Sequence, residues 1–167
     1  MNSFLGLGGM LLALSLAAGN VAAAGDPHAH QHHSMSMPMS EQLADWGEPG
    51  EPQAVSRTVH VRMNDAMRFV PDTLEVREGE TLRLVLTNEG ALMHEWVLGT
   101  SKSLADHAVQ MRENPSGAHD MPAMVHVKPG ETGELVWRFS RAGTFDFACL
   151  VPGHFEAGMR GAVSVSP

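Results

Sequence analysis

A single cysteine, Cys149, occurs among the 167 residues, so a chain can form no internal disulfide and no all-cysteine zinc or iron–sulfur site. Tyrosine is absent. Basic residues are also scarce: 11 Lys and Arg stand against 19 Asp and Glu, a formal net charge of −8, and the cations are scattered rather than blocked. A nucleic-acid surface requires positive charge gathered on one face, which excludes DNA and RNA as partners. No solenoid-type period repeats along the chain. What is in excess is sulfur and imidazole outside cysteine, 12 Met and 10 His. These are soft and borderline metal donors. With 43% apolar residues, the length fits one modest globular domain.

Positive charge is missing at the start as well, since Met1-Asn2-Ser3 holds no Lys or Arg. From Phe4 to Ala24 the chain is nevertheless apolar and small, Leu-rich from Leu11 to Leu16, and ends on Ala22-Ala23-Ala24. Residues 1–24 therefore read as a removable export signal, with an uncleaved anchor as the alternative for a run long enough to span a bilayer. No cysteine sits at the cleavage point to carry a lipid, so the expected mature chain is released, without a membrane association, into an extracytoplasmic compartment, the periplasm. Residues 25–55 hold a His cluster, a Met-Ser-Met-Pro-Met tract and the breaker run Glu48-Pro49-Gly50-Glu51-Pro52, and read as a flexible, disordered tail despite Leu43 and Trp46. The domain is expected over 56–167.

That remainder alternates with the period of strands. Val59, Val61 and Met63 alternate with polar neighbours, as do Leu74 and Val76, then Leu82, Leu84 and Leu86. Leu135, Trp137 and Phe139 share one strand face, Phe145, Phe147 and Cys149 another, and Val163 with Val165 a last one. Turn signals at Arg77-Glu78-Gly79, Asn88-Glu89-Gly90, Pro129-Gly130 and Ala142-Gly143 give the rhythm of an all-β sandwich or barrel. One short helix interrupts it, with Ser103 and Asp106 as its capping signature, Leu104, Ala108 and Met111 on one face, and Pro115 with Gly117 as its stop.

The chemistry gathers at the C-terminal end. Cys149-Leu-Val-Pro-Gly-His154-Phe-Glu-Ala-Gly-Met159 places a thiol, an imidazole and a thioether in one loop between two predicted strands. A trigonal copper site takes one Cys and two His with a weak axial Met, so a second imidazole must come from another strand. His94 is the candidate, because alternation through residues 91–98 sets His94, Trp96 and Leu98 on one face, inward with Cys149. Taken singly, Cys149 reads as an inert buried thiol, His94 as a core histidine and Met159 as packing. Taken jointly, residue type, strand face and loop spacing coincide. A Cys–His nucleophile pair is the competing assignment, but it leaves Met159 idle and supplies no oxyanion hole.

On these residues the chain resembles the cupredoxins, or small blue copper proteins, over most of 56–167. Cys149-x4-His154-x4-Met159 with His94 upstream has that family's ligand order, and Cys-Leu-Val-Pro-Gly-His is similar to the azurin-type loop with a rusticyanin-like spacing to Met. His94-Glu95-Trp96-Val97-Leu98-Gly99-Thr100, the helix and the His/Met-rich exported tail are most similar to the periplasmic copper-tolerance cupredoxins, the CopI-like proteins. The resemblance implies a Greek-key β-sandwich and one type 1 copper ion held by His94, Cys149, His154 and Met159. It also implies a role in copper tolerance or homeostasis without enzymatic activity. The alternative is a mobile one-electron carrier, whose periplasmic redox partner docks on an apolar patch of Pro152, Gly153, Phe155 and Ala157 around His154. A monomer is expected in either case. One departure is Glu95, where many blue copper proteins carry Asn or Ser, whose neighbourhood hydrogen-bonds the Cys sulfur.

Two further groups of donors stand outside this set. His28, His30, His32, His33, Met35, Met37 and Met39 in the tail suit additional, weakly held copper, against a merely solvated linker. Met111, His119, Met121, Met124 and His126 read either as a second cluster for a mobile ion or as packing beneath a long loop. His60 and His107 are expected at the surface.

Overall fold

The structure, a computed structural model, describes residues 46–113 and 121–167. The expected export signal and the His/Met-rich part of the tail lie outside the described residues, as do His119, Pro115 and Gly117.

Alternation builds the first sheet. Val61 and Met63 of β2 (Arg57–Asn64), Leu82, Leu84 and Leu86 of β5 (Thr81–Asn88), and Leu135, Trp137 and Phe139 of β8 (Thr132–Phe139) all turn inward and are buried. Two short strands, β1 (Gly47–Pro49) and β3 (Arg68–Val70), form its edges in the order β1-β8-β5-β2-β3. The second sheet is formed by β4 (Thr73–Arg77), β6 (His94–Gly99), β7 (Met124–Val127), β9 (Gly143–Ala148) and β10 (Arg160–Ser166), ordered β4-β10-β9-β6-β7. Each sheet is mixed, with β2 parallel to β5 and β4 parallel to β10. The two inner faces share one core, where Trp96 stacks on Phe147 at 3.9 Å and Phe69 meets both rings edge-on. The expected Greek-key sandwich with one inserted helix is the fold observed.

The helix, α1 (Ser101–Glu113), covers the outer side of β6. Val97, Leu104, Ala108, Met111, Ala148 and Leu150 form a second, smaller apolar cluster there, and so every residue of β6 is buried on both faces. The cap differs from the expected one. Thr100 Oγ1 accepts from the Ser103 N–H at 3.1 Å while Ser103 Oγ accepts from the Thr100 N–H at 2.9 Å, a reciprocal capping box one turn before Ser103 itself. Asp106 instead pairs with Lys102 on the exposed face. His60 is exposed as expected, but His107 is buried. Its spacing explains this: positions 104, 107, 108 and 111 form a single helical stripe, and that stripe packs on the sheet.

The boundary at residue 56 requires a correction. Trp46, assigned to the tail, is only 2% exposed; it stacks on Phe145 at 4.9 Å and tilts against Trp137 at 5.4 Å. Behind it, β1 pairs with β8 in antiparallel register, Gly47 opposite Phe139. The Gly and Pro residues of 47–52 limit this segment to an edge strand and a 3-10 turn at Pro52–Ala54, but burial of the indole outweighs their breaker character.

Candidate metal centre

Of the four residues named from the sequence, His94, Cys149 and His154 bring their donor atoms together, and backbone hydrogen bonds tie Met159 to Cys149 and His154. His94 opens β6, Cys149 follows the last residue of β9, and His154 and Met159 belong to the loop that leads into β10. The donor atoms of His94, Cys149 and His154 all lie within 4.8 Å of one another. His94 Nδ1 is 3.2 Å from His154 Nδ1, and Cys149 Sγ is 3.3 Å from the same His154 nitrogen. His94 and Cys149 are fully buried and His154 is 9% exposed, so His154 is the most solvent-accessible of the three.

The loop holds itself in shape. The His154 N–H donates to Val151 O, the Ala157 N–H to Gly153 O and the Gly158 N–H to Phe155 O. Gly153 and Gly158 turn the chain with φ of 89° and 92°, a conformation that costs an L side chain roughly 1 kcal/mol or more. Met159 closes the circuit: its N–H donates to His154 O and its carbonyl accepts from the Cys149 N–H, both at 3.0 Å. Its side chain is fully buried in the core cluster that contains Cys149.

The His94 side is held from a distance. Buried Asn88 donates to Leu92 O at 2.8 Å and to Val127 O at 2.9 Å, and accepts from the Gly90 N–H. Asp65, in the turn between β2 and β3, accepts from the Ala91 N–H at 2.7 Å and the Leu92 N–H at 3.2 Å, and lies 3.2 Å from His94 Nε2. Arg68, the first residue of β3, donates to Ala157 O, in the ligand loop. Neither role is legible locally: Asp65 looks like any turn polar, and Asn88 reads only as part of a turn.

Glu95 resolves its own departure from the expected pattern. Its backbone N–H donates to Cys149 Sγ at 3.4 Å, a contact that needs no Asn or Ser side chain. Its carboxylate, 1% exposed, accepts from the Leu150 N–H at 2.8 Å and meets His126 Nε2 at 3.0 Å. Of the other members of the donor group that includes His126, Met111 lies in the apolar cluster beneath α1 and Met121 and Met124 pack against it, while His119 lies outside the described residues.

Electrostatics favour metal over free thiolate chemistry. Burial pushes the Cys149 thiol up to about 12, with the Glu95 charge adding to it and the Glu95 and Val151 N–H groups opposing. A thiol in this state is no ready nucleophile at neutral pH. Burial also holds the His154 imidazole below its ordinary value, helped by His94 and opposed by Asp65. An imidazole kept neutral by burial, beside a second ring nitrogen and a buried sulfur, belongs to a donor set suited to copper.

The comparisons agree with that chemistry. The sequence profile of the copper binding proteins of the plastocyanin/azurin family matches residues 55–166. The copper-resistant cuproprotein CopI of Rubrivivax gelatinosus is 49% identical over 142 residues, 84% of this chain and 82% of that protein. Its namesake in Pseudomonas aeruginosa is 36% identical over 151 residues, 73% of this chain and 83% of the relative. Among solved structures, auracyanin B superimposes with a TM-score of 0.61 at 26% identity, over 72% of this chain and 96% of its own.

Proposed function

This chain belongs to the plastocyanin/azurin family of copper-binding proteins, and on that premise we propose that it is an exported cupredoxin that protects the periplasm from excess copper. His94, Cys149 and His154 would hold the copper ion strongly, and Met159 would add a weak thioether donor. The observation that carries the reading is the convergence of the three donor atoms within 4.8 Å in a buried pocket. Residues 1–24 serve as the export signal and the His/Met-rich tail that follows gathers copper ions for the domain, which begins at Trp46. The relatives named as copper-resistant support the tolerance role. Among the described residues no helix is long and apolar enough to cross a membrane.

Bound copper supplies one-electron exchange between its cuprous and cupric states. The protein's own part is to keep the ligands still while the charge changes. β6 and β9, adjacent in one sheet, fix His94 and Cys149, and the self-bonded loop fixes His154 relative to both. The Glu95 N–H stabilises negative charge on Sγ once the thiol proton has left. The copper-binding relatives and the donor set support binding and electron exchange as the function.

A second reading, the mobile electron carrier, has one observation in its favour. Leu92 and Met93 are 47% and 45% exposed directly before His94, and exposed apolar residues beside a redox centre suit a docking partner. Deleting residues 25–45 separates the two. Under the tolerance reading the deletion lowers survival in copper while electron exchange with a soluble redox protein is unchanged. Unaltered survival would leave the carrier as the better account.

A further inference from the structure

We propose that Asp65 is a positioning residue of the metal centre, holding His94 with Nδ1 toward Cys149 and His154 and giving the site a preference for cupric over cuprous copper. The inference rests on the reading of His94 as a ligand and adds to it the source of that ring's orientation.

An imidazole has two nitrogens, and which one is free to bind an ion is set by the hydrogen bond the other makes. In His94 the division is plain. Nδ1 faces His154 Nδ1 at 3.2 Å, inside the donor cluster, while Nε2 faces Asp65 Oδ1 at 3.2 Å, outside it. A carboxylate accepts only, so Nε2 carries the hydrogen and Nδ1 presents its lone pair to the cluster. A negative acceptor also raises the donor strength of the ring, and this favours the more highly charged ion.

Asp65 is fixed for this task from three directions. The Ala91 and Leu92 N–H groups donate to its two oxygens, and with His94 they hold its carboxyl below the ordinary value against the opposing cost of desolvation. Gly90 leaves the space it occupies, since a Cβ at that position would overlap the carboxylate. The segment that bonds Asp65 is therefore the same segment that delivers His94. A plain loop clasp would need only the two backbone contacts. The third contact, to the far nitrogen of a buried ligand ring, is what a clasp does not explain.

The test compares the full-length wild type with Asp65→Asn, which keeps an oxygen acceptor but removes the charge. Cupric and cuprous affinities are measured by chelator competition and the reduction potential by voltammetry. The expected result is a cupric affinity lower by about tenfold, a smaller change in cuprous affinity and a raised potential. Unchanged values, or equal losses of both affinities with the potential unmoved, would overturn the proposal and leave Asp65 a loop clasp. Should the variant fail to fold, nitrogen NMR of the metal-free wild type decides: His94 protonated on Nε2 supports the proposal, and on Nδ1 contradicts it. If the wild type itself bound no copper through His94, the ligand assignment would be what failed, an outcome distinct from these.

Discussion

The two sides of the metal centre are built by opposite means. The Cys149–Met159 loop bonds to itself: each of its turns is closed by a backbone hydrogen bond within ten residues, and two glycines with positive φ make the corners. The approach to His94 depends instead on Asn88, Asp65 and the edge of β7, through hydrogen bonds whose partners stand up to 39 residues apart in sequence. The self-bonded side carries three of the four donors, and the braced side one. A compact loop can therefore be written in a short motif, whereas the lone histidine is placed only by the assembled sandwich.

Breaking the loop's sulfur should have the largest effect. Cys149→Ala should abolish the intense visible colour of the copper-loaded protein, because that absorption belongs to the copper–thiolate bond; the absorption spectrum checks it. The next effect is on pH. Because the Cys149 thiol lies at about 12, copper must displace its proton anywhere below that value. Affinity should therefore rise by about tenfold per pH unit through the neutral range and fall as the solution is acidified. Competition titrations at several pH values, with proton release followed in weak buffer, measure the slope.

Removing the brace on the other side should cost less in metal but more in fold. Asn88→Ala leaves Leu92 O and Val127 O without their buried donor and should lower the stability of the metal-free chain by about 2 kcal/mol in urea. Gly158→Ala, within the loop, should cost about 1 kcal/mol in the same assay, because the penalty is confined to one positive-φ residue. If the loop variant proved the more damaging of the two, the contrast between a self-bonded and a braced side would be wrong.

The same contrast explains what could be read before the structure. Strands with buried faces announced themselves by period, and Leu82, Leu84, Leu86, Trp137 and Phe147 are all core residues. The ligand loop was legible because its donors are close in sequence. Trp46 was not: an edge strand of three residues among prolines and glycines has no period to detect, and only the space between Phe145 and Trp137 identifies it as core. Asp65 was invisible because its partners are distant, and Asn88 was legible as a turn residue but not as a brace, because its contact to Val127 is distant. The parallel pairings of β2 with β5 and β4 with β10 were also invisible, since alternation fixes which face is buried but not which strand lies alongside. His107 could have been found, as its position between Leu104 and Met111 already placed it on the buried stripe.

X-ray absorption at the copper edge of the singly loaded full-length chain tests the central claim most directly. The account predicts one short thiolate sulfur and two imidazole nitrogens around a single ion. A first shell of thioether sulfur or tail imidazoles with no thiolate bond would contradict it.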